Sequence, residues 1–260
     1  MPPVTEFALL HLTPKPTTTT TTTTNTTTNT PPPLPPSLLT TLASAMRTQD
    51  AWHATAFPAQ PSSAAARAAV WFRQVEDPAW LLTTARWESV AAHWDWIRSA
   101  ENQRVMGTGE GGVGGWVVGR DTVLLHVGGV VFGGGSGEGE GGGGGSDRGD
   151  GDGLVTLLES LVISVGRMFV KRGDRGAFEA KFEEVRGILE GYARPHHVRF
   201  GWREDVEDGA EEDEFVLVCG WDSVEQHFAF AESEGFARYG ELRELIARVD
   251  LKHYKPLPLE

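Results

Sequence analysis

The chain has 260 residues, of which 40% are hydrophobic, and a formal net charge of −13 at pH 7. This length is enough for one large domain or two small ones, each with a buried core. Because phosphate groups repel an acidic surface, the charge argues against binding to nucleic acid or to an anionic membrane.

The only cysteine, Cys219, excludes a disulfide framework within the chain and favours a reducing compartment. The N-terminal segment MPPVTEFALLHLTPK lacks a basic region followed by a long apolar core. No stretch approaches the roughly 18 apolar residues of a membrane span. The sequence therefore predicts a soluble cytoplasmic protein.

The first half of the chain predicts the element order β-α-β-β-α-β. Apolar residues in alternation or in short runs indicate strands, and apolar residues at helical spacing indicate helices. The predicted elements are a strand in VTEFALLHL, a helix in SLLTTLASAMRTQDAW, a hairpin in AAVWFRQVED and AWLLTTARW, a helix in SVAAHWDWIRSAENQRVM and a strand in DTVLLHVGGVVF. A tract of threonine and proline, residues 17–36, is inserted after the first strand and is too polar to pack, so we expect it to be disordered.

A second low-complexity segment, residues 133–153, divides the chain nearly in half. Its glycine, serine and acidic residues are typical of a flexible tether. It contains no GxxxxGK[ST] motif and no strand-to-helix context, so a phosphate-binding loop is not favoured. The sequence predicts two domains, residues 1–132 and 154–260, joined by this linker.

The second half repeats the element order. Its first helix carries an apolar stripe at helical spacing, made by Phe178, Phe182, Val185 and Leu189. The predicted strands lie in SLVISVGRMFVKRGD, HHVRFGWRED, EFVLVCGWD and IARVDLKHYKPL, and the second helix lies in WDSVEQHFAF. The first and third strands are apolar on both faces and the other two on one face, which is the pattern of a ferredoxin-like sheet. The predicted fold class is α+β, with two tandem ferredoxin-like repeats.

A shared motif marks the second helix of each repeat: WESVAAHWDW in the first and WDSVEQHFAF in the second. Ser223 is the expected N-cap of the second copy, with Gln226 three residues later to complete a capping box. Ser89 is the expected cap of the first copy. The helical spacing turns His93 and His227 toward the sheet, whereas Trp96 and Phe230 flank the apolar stripe, where they would line a cleft mouth or a contact between repeats.

The strand-Trp-acid-Ser-Val-x-x-His pattern, on the second helix of a small β-α-β-β-α-β unit, resembles the antibiotic biosynthesis monooxygenase family of the dimeric α/β-barrel superfamily. HHVRFGWRED resembles the second strand of that family. The likeness extends from about Val162 to Leu257 and, more loosely, over the first half. The resemblance implies two sheets packed face to face in a barrel, here formed within one chain, so we expect a monomer with intramolecular pairing of its repeats.

The resemblance also implies a ligand cleft between sheet and helices, toward which both motif histidines point. His227 and His93 are therefore the candidate catalytic residues, since a partly desolvated, neutral imidazole can accept a proton from an acidic phenol. The alternative is a pair of core histidines that only support packing. The sequence shows no Ser/His/Asp or Cys/His arrangement, so covalent catalysis has no support.

Aromatic residues are the candidate lining of the substrate pocket. The alternative is that they pack in the core and at the barrel interface. The candidate residues are Trp71, Trp87, Trp94, Trp202, Trp221 and Phe228.

Several other polar residues are expected to have no catalytic or metal-binding role. His126 and His253 lie on the predicted last strands, where solvation at the sheet edge is expected. The adjacent His196 and His197 point to opposite faces, so no metal site is predicted. The acidic run 204–214 lacks the register of a calcium loop and is expected to be a solvated loop. Cys219 is expected to be a buried, unreactive thiol.

Two functions remain open from the sequence. The resemblance implies a cofactor-independent monooxygenase, or a related isomerase or cyclase, acting on an aromatic or polyketide-like small molecule. The alternative is a non-catalytic tandem barrel that binds a small ligand or a protein, supported by the lack of a second polar group spaced to cooperate with the histidines. Fold alone does not decide between them.

Overall fold

The computed structural model describes residues 2–13, 31–129, 131–132 and 154–259. The glycine-rich linker and most of the threonine and proline tract lie outside these ranges, so the expectations about their disorder concern residues that the structure does not describe. The end of that tract, at Pro36, is the first residue of a helix.

The first repeat has the predicted order of elements, with its second helix divided in two. Prolines precede and open α1, where the missing N–H of proline costs no hydrogen bond. The elements are β1 (Val4–His11), α1 (Pro36–Ala56), β2 (Val70–Gln74), β3 (Trp80–Trp87), α2 (Val90–Arg98), α3 (Ala100–Val105) and β4 (Val123–Gly128).

The second repeat has the same order. The stripe predicted for its long helix is buried, and each of its four apolar side chains is at most 3% exposed. The elements are β5 (Val162–Lys171), α4 (Arg175–Ala193), β6 (Val198–Trp202), β7 (Glu212–Trp221), α5 (Val224–Ala229), α6 (Phe236–Tyr239) and β8 (Arg248–Pro256).

All eight strands form one antiparallel sheet in the order β4-β1-β3-β2-β8-β5-β7-β6. Within each repeat, the first and third strands are central and the second and fourth are outer, which is the ferredoxin-like order. The predicted fold class, two tandem ferredoxin-like repeats that make a barrel within one chain, is confirmed.

Two seams join the repeats into a nearly closed barrel. At one seam β2 pairs with β8, from Phe72 opposite Pro256 to Gln74 opposite Tyr254. At the other seam β4 and β6 meet at an antiparallel bridge between Val127 and Arg203. The strands that would be outer edges of separate repeats are therefore covered by each other.

Apolar side chains fill three layers. The barrel interior is a mixed core to which both repeats contribute, including Phe7, Leu82, Val165 and Val216. Outside the barrel, the helices of each repeat cover its own sheet with a separate core. Within the described residues, every helix is too short or too polar to cross a bilayer.

The helix starts follow the predicted capping. Ser89 accepts the N–H of Ala92 at 3.1 Å, and Ser223 accepts the N–H of Gln226 at 3.2 Å. The side chain of Gln226 accepts the N–H of Asp222, at 2.7 Å, rather than that of the cap residue itself. Both copies of the motif therefore begin their helices with a serine cap, and Gln226 adds a second hydrogen bond in the second copy, where the first copy has Ala92.

Trp96 and Phe230 do not lie at a cleft mouth or between the repeats, so that prediction is wrong. Each is 3% exposed and packs within its own repeat. The ring of Trp96 lies 5.4 Å from that of Trp52 in α1, and the ring of Phe230 lies 5.0 Å from that of Tyr192 in α4. Each helical layer contains a second helix, so residues beside the apolar stripe are buried as well.

Candidate active site

The histidines of the two motif copies occupy equivalent positions. The ring of His93 stacks on Trp87, with ring centroids 4.6 Å apart and an interplanar angle of 17°. The ring of His227 stacks on Trp221 at 4.5 Å and 13°. Each tryptophan ends the third strand of its repeat and is 0% exposed. The histidines therefore face the sheet, as their helical spacing indicated.

Each motif histidine is hydrogen-bonded to a second histidine, on the last strand of its repeat. Nδ1 of His93 lies 2.7 Å from Nε2 of His126 in β4, and Nδ1 of His227 lies 2.7 Å from Nε2 of His253 in β8. His126 is 0% exposed and His253 is 1% exposed. The prediction of solvated edge-strand histidines is wrong, because the opposite repeat and the motif helix cover them.

An acid from the opposite repeat completes each arrangement. Asp205 Oδ2 lies 2.9 Å from Nδ1 of His126, and Glu76 Oε1 lies 2.5 Å from Nδ1 of His253. Each carboxylate also accepts the backbone N–H of the same histidine. We call Asp205, His126 and His93 the His93 chain, and Glu76, His253 and His227 the His227 chain.

Backbone pairing across the seams positions both acids. After β2, the N–H of Val75 donates to the carbonyl of His253 at 2.8 Å; after β6, the N–H of Glu204 donates to the carbonyl of His126 at 2.8 Å. The acid is the next residue in each case. The same hydrogen bonds that close the barrel therefore bring a carboxylate to each pair of histidines.

The two chains differ at one position of the first strand. Glu6 in β1 and Ser164 in β5 each lie two residues after the position that pairs with the motif tryptophan. The indole N–H donates to Glu6 Oε2 at 2.7 Å in the first repeat and to Ser164 Oγ at 2.9 Å in the second. Glu6 Oε2 also lies 3.2 Å from Nε2 of His93. Among the described residues, no such contact reaches Nε2 of His227.

Burial keeps both motif histidines neutral. Desolvation, reinforced by the neighbouring histidine, lowers the pKa of His227 to about 4 and that of His93 well below its ordinary value. His93 is 2% exposed, whereas His227 is half-buried. A neutral imidazole can accept a proton, and of the two histidines His227 is the more accessible to a ligand in solution.

Glu6 closes the His93 chain. The residue is 6% exposed, and burial raises the pKa of its carboxyl to about 7. A carboxyl that keeps its proton can donate to Nε2 of a neutral His93 while it accepts the N–H of Trp87. Both ring nitrogens of His93 therefore have buried partners.

Residues 204–214 are not simply a solvated loop, which corrects that prediction for two of the acids. The side chain of Asp205 is 17% exposed and that of Glu214 is 4% exposed. Burial alone would raise the pKa of Asp205, but hydrogen bonds from His126 and Arg203 outweigh it and hold that pKa at about 2. Glu214 forms ion pairs with Arg203 and Arg167.

The aromatic candidates fall into different places. Phe228 and Trp94 follow the motif histidines and are 62% and 38% exposed; the ring of Phe228 lies 5.4 Å from that of His253. Trp71 is 5% exposed in the core between α1 and its sheet. Trp202 packs on Phe215 at 5.0 Å, away from the histidine chains. The structure thus groups His227 with Trp221 and Phe228, and His93 with Trp87 and Trp94.

Exposed apolar residues lie along β8 next to the His227 chain. Leu251 and Val249 are 39% and 44% exposed, and alternation places them on the same face as His253. Their neighbours Asp250 and Lys252 face the barrel interior. We call Phe228, Leu251 and Val249 the apolar strip.

The barrel interior is too narrow for a substrate. A cavity there has a volume of about 10 Å³ and is lined mainly by apolar residues, among them Phe7, Leu82 and Tyr254. That volume holds about one water molecule. This cavity is therefore too small to hold an aromatic substrate.

His196 and Cys219, two other residues singled out in the sequence, are both buried. His196 is 5% exposed and lies between Ser160 Oγ at 2.9 Å and Asp222 Oδ1 at 3.0 Å. In the described ranges, no group of three or more His, Cys, Asp or Glu residues is arranged to hold a metal ion. Cys219 is 1% exposed, so the prediction of a buried cysteine is confirmed, and burial raises the pKa of its thiol.

Sequence reasoning missed four members of the chains: His126, His253, Asp205 and Glu76. A comparison of the two repeats outside the shared motif could have indicated these four residues. Each last strand carries one histidine, in VLLHVG and LKHYKP, and each second strand is followed by an acid, in QVED and WRED. The local sequence does not indicate that the acid of each repeat contacts the last-strand histidine of the other repeat.

The fold and the duplicated site define a single-chain member of the class of dimeric α/β barrels. Residues 161–242 match the family model "Antibiotic biosynthesis monooxygenase". This segment runs from the start of β5 to the turn before β8, so the match covers most of the second repeat. A comparison with curated proteins gives no match.

Solved structures of low sequence identity share the fold over nearly the whole chain. An anthrone oxidase-like protein aligns with a TM-score of 0.55 at 12% identity, over 99% of this chain and 92% of its own. A candidate monooxygenase of Fusobacterium nucleatum subsp. nucleatum aligns with a TM-score of 0.54 at 9% identity, over 100% and 94%. Chlorite dismutase from Candidatus Nitrospira defluvii gives 0.51 at 12%, over 99% and 92%. At these identities the similarity establishes the fold.

Proposed function

We propose that the chain is a cofactor-independent monooxygenase that acts on an acidic aromatic small molecule at His227. The observation that carries the proposal is the 2.7 Å hydrogen bond between His227 Nδ1 and His253 Nε2. When Nδ1 of His227 donates in this bond, its Nε2 keeps a lone pair. A half-buried, neutral imidazole with a free acceptor nitrogen is suited to act as a general base.

The proposed reaction begins with proton transfer from the substrate to Nε2 of His227. The resulting enolate or phenolate donates electrons to molecular oxygen and forms a C–O bond. For a methylene carbon between aryl groups, loss of water then leaves a ketone: R2CH2 + O2 gives R2CO + H2O. One oxygen atom enters the product, the other leaves as water, and the protein supplies only the base. The same first step would serve an isomerase or a cyclase.

The apolar strip supports an aromatic substrate. Phe228 and Leu251 offer exposed apolar surface beside the histidine pair, and a flat ring packed against them would shed water. The match of the second repeat to a monooxygenase family is consistent with this chemistry. The structural similarity to an anthrone oxidase-like protein suggests anthrones as the first compounds to test.

A non-catalytic role is the second candidate. Both histidines of the His93 chain are buried, and its hydrogen bonds join β4 of the first repeat to the turn after β6 of the second. By analogy, the His227 chain would serve only to hold the other seam. The apolar strip would then bind a ligand or a protein without chemistry.

Turnover separates the two candidates. The purified chain is incubated with a panel of anthrones and hydroquinones under oxygen, and oxygen consumption and product are measured. We expect turnover that falls between about 100-fold and 10,000-fold in His227→Ala, which removes the base. His11→Ala is the matched control, since His11 is part-exposed but lies with Asp121. Absence of turnover over the whole panel, or turnover unchanged in His227→Ala, rejects the monooxygenase proposal.

A further inference from the structure

Glu76, at one end of the His227 chain, determines which ring nitrogens of His253 and His227 carry protons. A carboxylate only accepts hydrogen bonds, so Nδ1 of His253, 2.5 Å from Glu76, carries a proton. When the His253 ring is neutral, its Nε2 is an acceptor, and Nδ1 of His227 is then the donor in the 2.7 Å bond between them. The acid thus determines which nitrogen of His227 keeps a lone pair, although it does not touch that ring.

Backbone hydrogen bonds fix the position of the Glu76 carboxylate relative to His253. Both of its oxygens accept the backbone N–H of His253, at 3.0 and 3.1 Å. The N–H of the preceding residue, Val75, donates to the carbonyl of His253 at 2.8 Å. Three backbone hydrogen bonds and the ring contact therefore hold the carboxylate in register with β8. The acid belongs to the first repeat and the base to the second.

The first repeat provides a natural comparison. Its chain has the same geometry, with Asp205 in place of Glu76, but Glu6 occupies Nε2 of His93. Ser164 stands at the position of Glu6 in the second repeat, and its hydroxyl is used by the indole of Trp221. The shorter side chain leaves Nε2 of His227 free of that contact.

We propose that the chain has one competent site, at His227 in the second repeat, and that Glu76 of the first repeat is its positioning residue. The site is therefore composite: its base lies in one repeat, and the acid that fixes the tautomer of that base is supplied by the other. The catalytic part of this inference rests on the proposed function, whereas the position of the proton on His227 does not depend on it.

The direct test measures the tautomer of His227 in the full chain. Nitrogen-15 NMR distinguishes a protonated ring nitrogen from one with a lone pair, and a His227→Ala spectrum assigns the signals. We expect the Nδ1-protonated form in the wild type. In Glu76→Gln the amide oxygen keeps the backbone N–H of His253 and the amide nitrogen donates to Nδ1 of that ring, so the Nε2-protonated form of His227, which free imidazole prefers, should become the major one. The matched variant Asp205→Asn alters the twin chain and should leave His227 unchanged.

Two results would overturn the proposal: an unchanged His227 tautomer in Glu76→Gln, or an equal change in Asp205→Asn. If Asp205→Asn does not fold, Glu6→Gln replaces it as the first-repeat control. This measurement needs no substrate, so it decides the question even if the oxygenase assay fails.

Kinetics test the catalytic part with any compound that is turned over. A wrong tautomer removes the base without altering the apolar strip, so Glu76→Gln should lower kcat by about 100-fold or more with little change in KM. Ser164→Glu, which copies the first repeat, should block Nε2 of His227 and abolish turnover. Full activity in Glu76→Gln or in Ser164→Glu would refute the composite site, while the proposed function would stand.

Discussion

The carboxyl group of Glu6 is buried against Trp87 and His93, and no lysine or arginine among the described residues forms an ion pair with it. Burial raises the pKa of this carboxyl to about 7, well above the usual 4.5. The folded protein therefore holds this proton over a range of pH in which the unfolded chain releases it. The residue that closes the first site makes folding less favourable as pH rises.

The Glu6→Gln variant should remove this pH dependence. Between pH 4.5 and about 7 the unfolded chain ionises first, so the wild type loses stability as pH rises through this range. An amide does not titrate, and its oxygen can still accept the indole N–H of Trp87. Relative to the wild type, Glu6→Gln should gain on the order of 3 kcal/mol between pH 4.5 and pH 8. Urea unfolding of both proteins at the two pH values measures the difference.

Glu234→Gln, at an exposed position, is the control for the removal of one carboxylate. Its stability relative to the wild type should change little between the two pH values. No gain in Glu6→Gln would show that Glu6 ionises in the folded protein as readily as in the unfolded chain. An equal gain in Glu234→Gln would show that the effect follows from the loss of any carboxylate.

At each site the sequence identified the motif histidine, its tryptophan and the aromatic residue after the histidine, and it missed the second histidine and the acid. His93 and His227 were found because helical spacing fixes the face of a short helix, and their tryptophans because the same motif contains them. Glu76 and His253 are 177 residues apart, and their contact depends on how two sheets meet. Local periodicity carries no information about such a contact, so a buried histidine on the last strand was mistaken for a solvated one.

At the scale of elements, the seam between β4 and β6 requires a glycine. A Cβ at Gly201 would lie 2.5 Å from the carbonyl oxygen of Gly128 and 2.7 Å from a methyl group of Val127. These distances are shorter than van der Waals contact, and the first involves backbone that cannot turn away. Gly201 thus lets the two strands approach closely enough to bring Asp205 to His126.

Gly201→Ala should therefore destabilise the protein by about 1–3 kcal/mol, the usual cost of an overpacked site. Gly187→Ala in α4 is the matched control, because a Cβ there meets nothing within 4 Å. In a helix, alanine should stabilise by about 0.5–1 kcal/mol relative to glycine. Chemical denaturation of the three proteins gives both values. Equal stability of Gly201→Ala and the wild type would mean that the seam can widen without cost.

The strands and the long helices were predictable because their apolar patterns are strong. The doubly apolar β5 and β7 are central and the one-sided β6 and β8 are outer, as the ferredoxin-like order requires. The short helices were less predictable: WDSVEQHFAF continues from α5 into a 3-10 turn at Phe230–Glu232. That turn carries Phe230 into the core with Tyr192, so extrapolation of the α-helical spacing misplaced it.

At the scale of the whole molecule, closure within one chain explains why the two sites differ. In a barrel made from two identical chains, both copies of a site would have the same residues. Here Glu6 and Ser164 occupy equivalent positions in one polypeptide and can diverge independently. The histidine of one site is buried, and that of the other is half-buried, while each site still takes its acid from the opposite repeat.

Closure within one chain also predicts the state of assembly. Both seams are satisfied internally: β2 pairs with β8, and β4 meets β6 through the bridge of Val127 and Arg203. No outer strand of either repeat is left to recruit a second chain at these seams, so the protein should sediment as a monomer of 28.2 kDa. Sedimentation velocity over a range of low protein concentrations measures this mass. A species of twice that mass that persists on dilution would mean that the repeats pair between chains, with Glu76 of one chain acting on His253 of the other.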